Sequence, residues 1–159
     1  MYARDHALIA TPIGTVAVEG DDAQVAAVRI GEAGPVTKGS AAAVRTAIEQ
    51  LEQWFAGERR VFDVAMAAPA TLRGAELRDG LVAVGYGETL SYGTLARTLR
   101  SSPRAIGQLC ARNPFPILVP CHRILGSGGA LGAYSAGDGP KTKSWLVEHE
   151  RQHSRRTLL

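Results

Sequence analysis

"NPFPILVPCHRI", Asn113 to Ile124, is the stretch on which the reading of this chain turns. Pro120 stands directly before Cys121, and His122 and Arg123 directly after it. The apolar run from Ile117 to Val119 reads as a short strand that delivers the cysteine. A thiol attacks only as thiolate, and an ordinary cysteine with a pKa near ~8.5 is mostly protonated at neutral pH. Reactivity therefore needs a base or a cation nearby, and both neighbours qualify by type. On an extended chain, however, successive side chains point to opposite faces. His122 then reaches the thiol only through a water, or if the chain bends after Pro120. An imidazole acting as base also has its second nitrogen held by an acid in the usual arrangement, for which Glu148 and Glu150 are candidates. Small buried cysteines outnumber nucleophiles, so these residues alone leave Cys121 open.

Just upstream, "SYGTLARTL" reads as a helix with Ser91 as N-cap and Leu95 and Leu99 four apart. "RSSPRAIGQLCARN" reads as a second, with Ser102 as N-cap, Pro103 in the first helical position and Ile106, Leu109 and Cys110 on its apolar side. Two short helices joined by a tight polar turn are the outline of a helix-turn-helix, and equally of a plain αα-hairpin. Arg104 and Arg112 give the second helix cations that suit phosphates. Cys110 reads as a small apolar residue on the core side. Before this pair, Leu72, Leu77, Leu81 and Val84 predict one helix ending at Gly85.

Downstream, "GSGGALGAYSAG" has Leu131 where a dinucleotide-binding loop needs its third glycine, and no helix opens directly behind it. It reads as a pocket loop ending in Tyr134 and Ser135. A last helix spans about Lys141 to Gln152, with Trp145, Leu146 and His149 as candidate inward residues.

The N-terminal part differs in pattern. "HALIATPIGTVAVEG" reads as two strands around a Thr-Pro-Ile-Gly turn, with Gly14 free to take positive φ. "VAAVRI" makes a third strand and "VFDVAM" a fourth. Between them Ser40 is the expected N-cap of a helix whose inward residues are Val44, Ile48, Leu51 and Phe55, stopped at Gly57. "AAPATLRG" marks a boundary.

Bulk properties fit a globular chain: 159 residues, 45% hydrophobic and 21% charged. No apolar run approaches the ~20 residues of a membrane span, and the charged N-terminus lacks an export signal. Two cysteines make neither a disulfide framework nor a CxxC zinc pair, which suits the reducing cytoplasm. Residues 1–70 hold 6 Lys/Arg and 9 Asp/Glu, whereas residues 71–159 hold 12 and 6. The net charge of −3 against +6 suits a polyanion meeting the C-terminal half, and equally a solvated surface with accidental asymmetry.

Taken together, Pro-Cys-His-Arg behind Asn113-Pro-Phe-Pro, the preceding two-helix outline and the following Gly-Ala-Tyr-Ser resemble the active-site signature of the O6-alkylguanine-DNA alkyltransferases. "TPIGTVAVEG" and "LEQWFAGERRVFDV" resemble that family's N-terminal domain, and "YGETLSYGTLA" through "WLVEHE" its DNA-binding and catalytic domain. The resemblance implies an α+β fold: a small ribonuclease H-like α/β structural domain over residues 1–68, and a mostly helical, winged-helix-like domain with the helix-turn-helix over residues 69–159. It implies irreversible, single-turnover transfer of the alkyl group from O6-alkylguanine, and from O4-alkylthymine, to Cys121.

In that scheme His122 acts as base through a water, Glu150 holds His122, and Asn113 braces the turn between the second helix and the active-site strand. Tyr92 hydrogen-bonds the departing guanine. Arg104 is the finger that fills the place of the extruded nucleotide, with Arg112, Gln108 and Arg123 as further DNA contacts. Tyr134, Ser135, Ile124 and Pro116 form the substrate pocket, and the backbone carbonyls of Cys121 and Ile124 meet the exocyclic amine. The expected partner is double-stranded DNA, bound by a monomer through the minor groove and largely independently of sequence, with neither cofactor nor metal. A non-catalytic helix-turn-helix sensor of alkylated DNA is the alternative, against which the intact Cys121 weighs. The helix before Tyr86 departs from the family pattern, with no aromatic residue and with Gly85 where a proline is common. In the second helix, Gln108 replaces a glycine.

Overall fold

Alternating apolar residues around a Pro-Ile turn make the first two strands, β1 (Asp5–Thr11) and β2 (Gly14–Gly20), an antiparallel hairpin in which Thr11 pairs with Gly14. Gly14 takes φ +98°, a conformation that costs little without a Cβ. β3 (Val25–Ile30) pairs antiparallel with β2, so the sheet order is β1-β2-β3. The computed structural model describes residues 4–156, and the chain divides into two compact units, Met1–Ala67 and Ala68–Leu159.

In the first unit α1 (Ala42–Phe55) packs on the sheet through Val44, Ile48, Leu51 and Trp54. Trp54, rather than the expected Phe55, is fully buried. Gly57 follows the helix with φ +78°, as its placement predicted. Ser40 is not the N-cap. The Asp5 carboxylate accepts the amides of Ser40 and Ala41 at 2.6 and 2.8 Å, and Asp22 accepts that of Ala42 at 2.8 Å. Distant acids thus do the work assigned to a local serine. The expected fourth strand over "VFDVAM" is absent as a strand. One parallel bridge, Val25 to Met66, stands there, with Val25 N–H donating to Ala65 O and Ala67 N–H to Val25 O.

The second unit is mostly helical: α2 (Leu72–Val82), β4 (Leu90–Ser91), α3 (Tyr92–Thr98), α4 (Pro103–Ala111), β5 (Ile124–Leu125) and α5 (Pro140–Arg156). β4 and β5 pair in parallel, Leu90 with Ile124. Thr71, Ser91 and Ser102 cap α2, α3 and α4 by accepting the amides of Gly74, Thr94 and Ala105, and Pro103 opens α4 as expected. α2 lacks an aromatic anchor and closes on its neighbours through Gly80, where a Cβ would lie 2.4 Å from a Leu99 methyl. Arg73 supplements this by donating to the carbonyls of Leu99 and Arg100 at the end of α3. Leu72, expected on the inner face of α2, is 86% exposed, while Leu81 and Val84 are buried. α5 runs a turn longer than its apolar pattern indicated. Among the described residues no helix is long and apolar enough to cross a membrane.

Candidate functional site

The segment between α4 and Cys121 is not the strand that its apolar residues predicted. Asn113 holds it as a turn: its Oδ1 accepts the Phe115 amide at 2.9 Å and its Nδ2 donates to Val119 O at 3.0 Å. Ile117 takes φ +77°, Pro116 bridges Val119, and Val119 N–H donates back to Phe115 O. Phe115 through Val119 are all buried, so a β-like composition serves a tight buried loop instead. Pro120, at φ −83° and ψ 61°, forms an inverse γ-turn closed by Cys121 N–H on Val119 O at 2.8 Å. The chain then enters a 3₁₀ turn over Cys121–Arg123. That bend removes the objection that an extended chain holds His122 on the far side from the thiol.

Cys121, 2% exposed, lies on the wall of a cavity of about 490 Å³. Pro103, Gly107, Cys110 and Ala111 from α4 form one side, Tyr92 from α3 another, and Ala133, Tyr134 and Ser135 from the glycine-rich loop a third. Tyr92, Tyr134 and Ser135 therefore meet Cys121 as expected. Pro116 and Ile124 do not: both are buried, and neither is among the residues lining the cavity. The Cys121 carbonyl already accepts the Ile124 amide.

Beside the cavity, the neighbours His122 and Arg123 meet Glu150, from α5, in one buried cluster. His122 is fully buried, with Nε2 3.0 Å from Glu150 Oε2. Arg123 clasps the same carboxylate with Nε on Oε1 at 2.9 Å and Nη2 on Oε2 at 2.7 Å, and its Nη1 donates to Val84 O at 2.6 Å. The expected role of Arg123 at DNA is therefore corrected. It is 6% exposed and spends its donors inside the protein, because a carboxylate this deep needs a bidentate cation. Glu148, the other candidate acid, is exposed.

Burial pushes Glu150 up, but the hydrogen bonds and charges of His122 and Arg123 outweigh it and hold the carboxyl down at about 2. Burial lowers His122 despite the bond to Glu150. The charged pair is thus Arg123 with Glu150, and the imidazole between them is neutral at pH 7. A neutral ring whose Nε2–H faces the carboxylate keeps Nδ1 as its acceptor.

Two residues of the site went unrecognised in the sequence. Lys143 is fully buried, with Nζ donating to Ala133 O at 3.3 Å and lying 5.6 Å over the Tyr92 ring. Burial lowers its pKa, while the two cysteines pull the other way. Lys143, Leu146 and Glu150 share one face of α5 at helical spacing, a signal that marks Lys143 as inward. Cys110 lines the cavity together with Cys121, and the two thiols influence each other's ionisation. The interaction between the thiols lowers Cys110 and raises Cys121 well above its ordinary value, with burial adding to the rise; Asn113 and Lys143 act on Cys121 in the opposite sense. The pair thus shares its first ionisation. Desolvation, followed by the nearby cysteines, raises Tyr92 to about 12 and Tyr134 further. Both are phenols at neutral pH.

Arg104 and Gln108 on α4 and Arg112 at its C-cap are exposed and line no part of the cavity. They share the helix whose other residues form its wall.

A mixed α+β protein whose second unit sets a cysteine in a walled cavity against a paired two-helix element is the class that fold and site define. A family model for the DNA-binding domain of 6-O-methylguanine DNA methyltransferase matches residues 76–152. A methylated-DNA–protein-cysteine methyltransferase of Mycolicibacterium paratuberculosis is 40% identical over 118 residues, covering 70% of this chain and 68% of that protein. One from Methanosarcina acetivorans is 41% identical over 95 residues, covering 58% of this chain but 61% of its own length. The crystal structure of Mycobacterium tuberculosis OGT in complex with DNA matches with a TM-score of 0.80 and 32% identity over 93% of each chain. The chain belongs to the methylated-DNA–protein-cysteine methyltransferase family.

Proposed function

We propose that this protein repairs alkylated DNA by moving the alkyl group from guanine O6 onto the Cys121 sulfur, once per molecule. The observation that carries the reading is Cys121 on the wall of the cavity with Tyr92 and Tyr134, backed by the His122–Glu150–Arg123 cluster. The names of its relatives support the same reaction. The damaged oxygen lies inside a duplex, so the nucleotide must leave the stack, at a cost of roughly a few kcal/mol. Arg104, exposed on α4, fills the gap and offsets part of that cost. Arg112 and Gln108 meet the backbone from the same helix, in the minor groove. Binding is then largely independent of sequence and weakens steeply with salt.

Within the cavity Tyr134 stacks on the base, and the Ser135 amide reads its edge. His122 takes the Cys121 proton through a water, and Glu150 keeps the imidazole oriented for it. Sulfur attacks the alkyl carbon, the C–O bond breaks, and a guanine anion leaves. Tyr92, held protonated by burial, donates to that anion. Lys143, over the Tyr92 ring, favours each negative charge that develops. The product is a thioether with no carbonyl for water to attack, so the thiol is spent. In this reading residues 1–68 form a ribonuclease H-like structural domain and residues 69–159 a winged-helix-like DNA-binding and catalytic domain, acting as a monomer in the cytoplasm.

Intact mass spectrometry after incubation with a duplex carrying O6-methylguanine tests it. One methyl group is expected, mapped to Cys121 and absent in Cys121→Ala. Tight binding with no mass change would favour a non-catalytic sensor instead. Arg104→Ala should slow transfer from duplex roughly tenfold, equivalent to about 1.4 kcal/mol, and affect the free modified base less. Equal losses on both substrates would exclude the finger role.

A further inference from the structure

We propose that Cys110 is a resolving thiol for Cys121: peroxide joins the two in an intramolecular disulfide that blocks the acceptor sulfur reversibly and keeps it from irreversible oxidation. They are the only cysteines of the chain, and both are free thiols. They reach the same cavity from different elements, Cys110 from the last turn of α4 and Cys121 from the 3₁₀ turn, so both belong to its wall. The loop between them is tied at both ends. Asn113 N–H donates to Cys110 O at 3.3 Å, and Asn113 Nδ2 donates to Val119 O at 3.0 Å.

A packing role alone does not account for Cys110. Ile106, one helical turn earlier, is the fully buried residue of α4, whereas Cys110 is only partly buried and opens onto the cavity. Cys121 is 2% exposed, so a small oxidant entering the cavity meets Cys110 more readily. The positive charge of Lys143 acts on both sulfurs and favours a thiolate there.

The chemistry balances with hydrogen peroxide as oxidant. A thiolate sulfur attacks one peroxide oxygen, the O–O bond breaks, and a sulfenic acid forms as hydroxide leaves and is protonated to water. The second sulfur attacks the sulfenic sulfur, the S–S bond forms, the S–O bond breaks, and the second water departs. Two thiols lose two electrons, and one peroxide becomes two waters. A Cys121 without its partner proceeds instead to sulfinic acid, which thiols do not reduce. The consequence for repair rests on Cys121 being the alkyl acceptor; the disulfide itself does not.

The full chain is treated with a small excess of hydrogen peroxide and followed by intact mass and by non-reducing peptide mapping. The expected product is a monomer lighter by two hydrogens, with the Cys110 and Cys121 peptides cross-linked, that neither accepts a methyl group nor reacts with iodoacetamide. Dithiothreitol should restore both properties. Cys110→Ala and Cys110→Ser, each compared with its own untreated sample, should gain oxygen on Cys121 and lose acceptance that dithiothreitol does not return. Wild-type protein that gains oxygen with no cross-linked peptide would overturn the proposal. So would a Cys110 variant whose loss is as reversible as that of the wild type. Untreated protein that accepts no methyl group but still cross-links would count against the repair reading alone.

Discussion

The two units keep their charges in opposite places. In Met1–Ala67 the ion pairs Arg4–Glu19, Arg29–Glu19 and Arg29–Glu32 lie on or directly beside the strands, with side chains 23–63% exposed, and Gln50 is the only buried polar residue among those described. Its core is sheet against helix, Ile9, Val16, Val18 and Val28 facing Val44, Leu51 and Trp54. In Ala68–Leu159 the interior holds His122, Arg123, Lys143, His149 and Glu150. Exposed ion pairs are worth about 0–1 kcal/mol, and a buried pair seldom outdoes well-packed hydrophobic residues of the same volume. The second unit thus carries polar groups that stability alone does not call for, and His122, Arg123, Lys143 and Glu150 gather beside the cavity of one thiol. The difference teaches where to look for chemistry in an otherwise ordinary small protein.

The largest effect expected is from Glu150→Gln. It leaves Arg123 buried with no counter-charge, which should cost about 3–5 kcal/mol in urea unfolding, and it should remove alkyl acceptance as well. Trp54→Ala should cost a similar amount, about 3–5 kcal/mol, yet leave acceptance per folded molecule unchanged. If Trp54→Ala instead lowered acceptance at a temperature where the protein is folded, the division of labour between the units would be wrong.

Acid should separate the units next. Glu150 titrates near 2 in the folded protein against 4.5 when free, so its stabilisation is present above pH 4.5 and lost as the pH falls toward 2. That contribution is on the order of 3 kcal/mol. His122, lowered from 6.5, resists protonation in the folded state, so stability begins to fall below pH 6.5. Each unit holds one tryptophan, Trp54 and Trp145. Variants keeping one or the other should show the second unit to be the more acid-sensitive, and equal sensitivity would count against the buried cluster as the cause. The smallest effect is kinetic. Because His122 stays neutral to lower pH than an ordinary imidazole, the acid limb of the alkyl-transfer rate should fall below pH 6.5. A limb at or above that value would mean that the imidazole is not the base.

Much of the frame was legible in the sequence because it is set locally. The hairpin at Gly14, the caps at Ser91 and Ser102, Pro103 in the first turn of α4 and the stop at Gly57 depend on residues within a few positions of each other. The misreadings share one cause, a tertiary partner that overrides a local preference. Ser40 lost its role to Asp5 and Asp22, which the fold brings to that helix end from distant segments. Ile117–Val119 has strand composition, but the hydrogen bonds of Asn113 and the burial of its neighbours turn it back on itself.

For the site, the amino-acid order by itself determined that Cys121 is flanked by an imidazole and a guanidinium and that Pro120 stiffens the approach. Covalent neighbours and the proline ring need no further context for that. Only the tertiary structure decided that Arg123 is consumed by Glu150 rather than left for DNA, and that Lys143 and Cys110 turn toward the thiol. Each of those depends on desolvation and distance between segments that are far apart along the chain, and neither quantity exists until the helices have packed.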